Sequence, residues 1–208
     1  MPATPFRPGT RHGIARRSWA TTCVLLAAGA LGSSPLSGQE PDPPAPVVFE
    51  ASLTATTVRG DLAGMGGGAI LVGITHRLKV GGAGALMFGH RRLAGTVRGS
   101  DLDLRMAYGG LAAQWQLAEG DRRALWLRAL AGVGNGTMDL AVAGTRIAAD
   151  NFGVFAPELG GNLLSDGPFQ AGLSVGYRAV FAVEDLPGVT ASDLRGPYLR
   201  AHLTYRLF

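Results

Sequence analysis

From Val47 onward apolar residues recur at every second position with small or polar residues between them, the period of a β-strand whose two faces meet different surroundings. In the first such segment Phe49, Ala51, Leu53 and Ala55 share one face, and Glu50, Ser52, Thr54 and Thr56 share the other. A second sets Ile70, Val72 and Ile74 against Gly73, Thr75 and Arg77. A third, over 84–96, carries Leu86 and Phe88 on one face, which His90 and Arg92 continue. In the fourth, over 102–117, Leu104, Met106 and Tyr108 share a face. The apolar phase then slips at Gly109-Gly110, and Leu111, Ala113, Trp115 and Leu117 take over, which predicts a β-bulge at the glycine pair.

The fifth segment, 124–137, sets Leu125, Leu127, Ala129, Ala131 and Val133 against Arg128 and Gly132. The sixth sets Phe155, Pro157, Leu159 and Leu163 against Glu158 and Asn162, with Pro157 forgoing one ladder hydrogen bond. The seventh alternates from Phe169 to Val183 and the eighth from Leu199 to Leu207. Strands this long exceed the five or six residues usual in globular proteins and match the roughly nine to eleven needed to cross a bilayer at a tilt. Short turns are expected at 79–82, 118–121 and 165–168, where Asp166-Gly167 is a strong hairpin signal. Longer links are expected at 59–67, 96–101, 137–151 and 184–197. An even number of strands puts both ends and the three short turns on one side of the membrane and the four longer loops outside.

A bilayer admits strands only as a closed barrel, because each unpaired backbone group is costly there. The expected fold is therefore all-β: an eight-stranded antiparallel transmembrane β-barrel over 47–208. Its polar face carries Glu50, Arg77, Arg105, Arg128, Glu158, Arg178, Glu184, Arg200 and Arg206. A lumen of eight strands is just wide enough to fill with side chains. These charges are thus expected to pair inside a packed core, with Gly73, Gly132, Gly172 and Gly176 leaving room for the arginine arms. A soluble periplasmic ligand-binding barrel would have the same period, with the polar face turned to water.

What precedes Val47 supports export. Arg7, Arg11, Arg16 and Arg17 come before the apolar run from Cys23 to Gly32, which is too short for a membrane helix, and no acidic residue occurs before Glu40. Residues 1–38 are expected to be a signal peptide cut somewhere in 32–39, and 39–46, rich in proline, a periplasmic leader. Of 19 basic residues four lie before position 40, while all 15 acidic ones lie at or after it, so the processed chain is balanced at 15 against 15. The sequence pI near 9.8 therefore belongs to the signal peptide, and the barrel lacks the excess positive charge that nucleic-acid binding requires. The single cysteine, Cys23, also lies in the signal peptide, so the rest has no disulfide, thiolate metal site or cysteine nucleophile.

The last strand reads Tyr198-Leu-Arg-Ala-His-Leu-Thr-Tyr-Arg-Leu-Phe208 and ends on an aromatic residue. In this, and in its eight alternating segments, the chain resembles the small eight-stranded outer-membrane barrels, the group of outer membrane protein X and the transmembrane domain of outer membrane protein A. That group usually carries a second aromatic two residues before the last; here Tyr205 stands three before Phe208. The resemblance implies a Gram-negative outer membrane, outer-membrane lipid and lipopolysaccharide as surroundings, and the barrel-assembly machinery as a partner of the C-terminal strand. Tyr108, Trp115, Trp126, Phe155, Phe169, Tyr177, Phe181, Tyr198 and Tyr205 would supply the aromatic girdles, although Trp126 and Tyr198 fall on the polar face by phase.

Signals for chemistry are sparse. His76, His90 and His202 lie on different segments without metal-binding spacing. Outer-membrane lipid A deacylases use a His-Ser-acid arrangement, but His202 is followed two positions on by Thr204, so a luminal histidine is the simpler reading. Ser174 is inward and flanked by glycines, with no acid or base assignable to it. No catalytic, cofactor-binding or metal site is expected. The function expected is structural or surface-interactive, with 137–151 and 184–197 as contact loops. A narrow channel for small solutes and a lipid A-modifying hydrolase are the alternatives within the membrane.

Overall fold

The computed structural model describes residues 46–89, 91–97, 100–120, 124–140 and 144–207, and for 91–97, Ser100 and Glu119 the backbone alone. The expected signal peptide, most of the leader, His90 and Phe208 lie outside the described residues. Nine strands follow in chain order: β1 Val47–Val58, β2 Asp61–Gly73, β3 Leu78–Met87, β4 Arg91–Val97, β5 Ser100–Glu119, β6 Ala124–Leu140, β7 Arg146–Asp166, β8 Phe169–Phe181 and β9 Gly196–Leu207. Each is antiparallel to its neighbours in the order β3-β2-β1-β9-β8-β7-β6-β5-β4, and β3 also pairs with β5. That last pairing closes the sheet. Because β3 and β4 lie one after the other along the same edge of β5, with Leu86 opposite Ala107 and Arg91 opposite Leu104, they are two lengths of one barrel strand. The fold is a closed eight-stranded antiparallel barrel.

Several boundaries differ from the sequence expectation, for identifiable reasons. The 79–82 stretch lies inside β3, and the turn falls earlier, at 74–77. Glycine there marks close strand approach: a Cβ on Gly81 would run into the Ile70 carbonyl of β2. Three of the four long links are largely strand. β1 and β2 are laddered out to Val58 and Asp61 around Arg59-Gly60, whose φ values of 54° and 82° make the tight reversal that a two-residue hairpin needs. β4 and β5 pair out to Val97 and Ser100, and β6 and β7 out to Asp139 and Arg146. Among the described residues only 182–195 is a true loop; it carries the four-residue helix α1, Ala191–Leu194. β8 ends at Phe181, short of the Val183 expected, because Ala182 turns into the left-handed region at φ 58°.

No bulge occurs at Gly109-Gly110. β5 stays in register with β6 from Leu102 to Gln116 and with β3 across the glycine pair. Even-numbered residues of β5 point inward from Leu102 to Gln116, and what changes is which face is apolar. The irregularities of β5 and of β7 against β8 sit near the other end of the barrel, at Leu117 and Leu163. Pro157 has the predicted effect: the β7–β8 ladder is broken between Phe155 and Glu158, while β6 still pairs with Pro157.

Candidate functional site

The outer wall is apolar around the middle of the barrel. Leu53, Ile70, Leu86, Leu111, Leu127, Leu159, Leu173 and Leu203 are all exposed, each on an outward position of its strand. Such a belt has no place against water, and with the strands closed on themselves it makes this a membrane-spanning barrel. Trp115, Phe155, Phe169, Tyr177, Phe181 and Tyr205 also face out, and the rings of Phe169 and Tyr205 pack 5.0 Å apart. Tyr108 departs from the expected girdle. Like Trp126 and Tyr198 it is buried inside.

The lumen at the level of this belt holds a closed ion-pair network. Arg128 on β6 forks onto Glu50 of β1, Nη1 to Oε1 at 2.7 Å and Nη2 to Oε2 at 2.6 Å. It also donates to Gln114 of β5 and lies 3.2 Å from Glu158 of β7. Arg200 on β9 reaches Glu158 at 3.0 Å and Thr54 at 3.3 Å, and the Tyr198 hydroxyl donates to Glu158 at 3.0 Å. Two carboxylates meet two guanidiniums, drawn from four strands around the ring. Trp126 closes one side, with the Arg128 guanidinium 4.6 Å from its ring centre. Charges buried to this extent are tolerable only when each is paired and hydrogen-bonded, and these are.

Of the nine charged residues expected on the inner face, Glu50, Arg128, Glu158, Arg178 and Arg200 are inside and buried. Arg77 is exposed in the 74–77 turn, Arg105 faces outward, Glu184 lies in the exposed loop, and Arg206 is half-buried near the barrel end. None of the four glycines expected to clear arginine arms does so: Gly132 allows close approach of the β5 backbone, Gly73 faces Pro46, and Gly172 and Gly176 make room for rings. A Cβ on Gly160 would strike Trp126, on Gly172 the His202 ring, on Gly176 Tyr198 and on Gly134 Phe152.

His202 is buried beside this network, its Nε2 3.3 Å from Asn162 Oδ1 and its ring 5.5 Å from that of Trp126. Thr204 is inward too and donates to the Gln170 carbonyl. Ser174 is buried, and its hydroxyl has no hydrogen-bond partner among the described residues. His76 is exposed in the 74–77 turn, so the structure does not bring it near His202.

Beyond the belt the polarity reverses. The far ends of β5, β6 and β7, with β4, rise past the end of β8 as an open sheet. Its inward residues Leu102, Leu104, Met106, Met138 and Phe152 are buried in one apolar cluster. Among the described residues, Arg105, Ala107, Asn135, Thr137 and Asn151 on its outward side are polar or small, and Ile147 near the rim is an exposed apolar residue. The 182–195 loop lies over this cluster and sinks Leu186, Val189 and Leu194 into it. Asp150 of β7 holds the front of the loop by accepting from the Glu184 and Asp185 amides. At the rear the Arg59 amide donates to the Asp193 carbonyl, and Arg178 to the Leu194 carbonyl at 2.8 Å. The Asp193 carboxylate accepts from the Thr190 amide at 2.7 Å, which holds its pKa below the usual aspartate value. Sequence reasoning missed this arrangement. The available signal was the change of apolar face along β5.

Neisserial surface protein A has the same architecture, with a TM-score of 0.53 and 13% identity over 78% of this chain and 97% of that one. The N-terminal β-barrel domain of Pseudomonas aeruginosa OprF gives 0.51 and 10% identity over the same shares. No known protein-family profile matches the sequence, and no curated protein matches it. At these identities the likeness concerns fold: this is the fold of the small eight-stranded outer-membrane barrels.

Proposed function

We propose that the chain is a small barrel of the Gram-negative outer membrane whose role is structural or surface-interactive, the contact surface being the polar outer face of β5 to β7 together with the 182–195 loop. The observation that carries this reading is the reversal of polarity along β5, β6 and β7, apolar outside at membrane height and polar outside beyond it. A soluble barrel would have no use for the belt. A solute channel fits poorly, since Arg128 and Glu158, each 3% exposed, are buried where a pore would have to wet them. A lipid A hydrolase built on His202 fits poorly as well, because the imidazole points into the lumen and away from lipid.

On this reading outer-membrane lipid and lipopolysaccharide surround the belt, and the barrel-assembly machinery engages β9. The test is fractionation with a heat-modifiability gel, followed by planar-bilayer recording. An outer-membrane species that migrates differently before and after boiling, without discrete conductance, is expected. A carbonate-soluble periplasmic protein, or stable unitary currents, would refute the reading.

A further inference from the structure

Arg178 has an unusual environment for a buried cation. It is fully buried at the base of the outer apolar cluster, and each acceptor it uses is neutral: the Leu194 carbonyl at 2.8 Å, the Thr57 carbonyl at 3.1 Å and the Met65 sulfur at 3.3 Å. The other two luminal arginines, Arg128 and Arg200, both meet carboxylates. The buried Tyr108, whose ring lies 5.9 Å from the Arg178 guanidinium, is a further neutral neighbour. A buried guanidinium whose neighbours are all neutral is poorly compensated, and a carboxylate would bind it more strongly than any of them.

The space above Arg178 is filled by something displaceable. Leu186, Val189 and Leu194 belong to the one true loop of the described chain, which is joined to the barrel by a few polar contacts rather than by a sheet ladder. Leu186 rests on Gly136, where a Cβ would come within 2.8 Å of it, so β6 provides a seat without a side chain. At the junction with β8, Ala182 is held at φ 58°, a conformation that L-residues other than glycine resist and that loop opening would release. The walls are adaptable. Apart from Met1, every methionine of the chain, Met65, Met87, Met106 and Met138, lines this cluster. Methionine refits around different apolar shapes more readily than branched residues do.

We propose that the outer chamber is a binding site for a monocarboxylate amphiphile, closed in its absence by residues 182–195. The ligand's hydrocarbon chain takes the places of Leu186, Val189 and Leu194 among the four methionines, and its carboxylate takes the place of the Leu194 carbonyl on Arg178. The inference goes beyond the structural role proposed above. It requires the loop to act as a lid and no solute to pass the ion-pair network below.

The test uses the protein in lipid nanodiscs at pH 8, with the methionine methyls labelled with carbon-13, titrated in parallel with decanoate and decan-1-ol. Saturable shifts of the Met65, Met87, Met106 and Met138 signals are expected, with decanoate binding roughly tenfold more tightly than the alcohol, the worth of exchanging a neutral for a charge-assisted acceptor. Amides 186–194 should exchange faster at saturation. In R178Q the preference for decanoate should vanish, and in R178K it should persist. Shifts that rise only with membrane partitioning, equal affinity for the two ligands, or a lid that stays protected at saturation would each overturn the proposal. If R178Q does not refold, the comparison of the two ligands on the unaltered protein decides alone.

Discussion

The two halves of the barrel obey opposite rules with the same strands. On β6, Leu127, Ala129, Ala131 and Val133 face outward while Arg128 sits inside. A few residues on, Asn135 and Thr137 face outward while Met138 sits inside. The membrane half resembles a soluble protein turned inside out, with a polar interior and an apolar coat. The outer half is ordinary in water, with an apolar interior and a polar coat. Strand geometry does not change at the boundary, so it is the solvent on either side of the wall that decides which face is apolar. A lumen filled with ion pairs is tolerated in the first half because every charge there has a partner.

The largest effect expected from perturbing this contrast is at Arg128. R128A would strand Glu50 in a closed lumen, leaving Glu158 with Arg200 and Tyr198, and cost about 3–5 kcal/mol, measured by urea unfolding in vesicles; a loss under 1 kcal/mol would mean that the network is wetter than its burial implies. Next, an arginine placed on the coat should read out the solvent. Ala129→Arg, near the middle of the belt, should cost about 2–4 kcal/mol, whereas Thr137→Arg on the outer sheet should stay within about 0.5 kcal/mol. Equal costs at the two sites would remove the boundary between the halves.

A third substitution tests packing within the membrane half. Gly160→Ala drives a methyl into the Trp126 ring and should cost about 1–3 kcal/mol, with a shift in tryptophan fluorescence. A neutral result would show that Trp126 can move aside. The smallest effect concerns pH in the outer half. The Asp193 carboxylate is held below its ordinary value by the Thr190 amide, so its contribution is complete above that value and is lost as pH falls through the lowered one. Hydrogen exchange at 190–195 should therefore accelerate only below about pH 4, the ordinary aspartate range. D193N should abolish that acceleration, and an unchanged acid response in D193N would assign it elsewhere.

The closed barrel was legible because alternation is strict wherever the wall meets lipid: Phe49 to Ala55, Leu125 to Val133 and Leu199 to Leu207 face as their phase predicts. The luminal residues Glu50, Arg128, Glu158 and Arg200 were legible for the same reason. Their pairing was not, since period two gives the face of a residue but not the strand across the lumen that it meets. The outer half was misread through one assumption, that the apolar face stays the outer face. Under it the swap at Gly109-Gly110 looked like a bulge, and Arg105 looked luminal. The stretch 79–82 looked like a turn because composition does not distinguish a reversal from strands packed too closely for a Cβ. A long link at 184–197 was expected, but the burial of Leu186, Val189 and Leu194 in the outer cluster was not legible, because they follow no strand period.

The central claim, one wall crossing two solvents, is tested most directly by nitroxide scanning along β6. No cysteine occurs after Cys23, so single-cysteine variants at 129, 131, 133, 135 and 137 can be labelled in vesicles. The account predicts that oxygen reaches the label better than a soluble nickel chelate at 129, 131 and 133, and that the order reverses at 135 and 137. Equal chelate access at all five positions would contradict it.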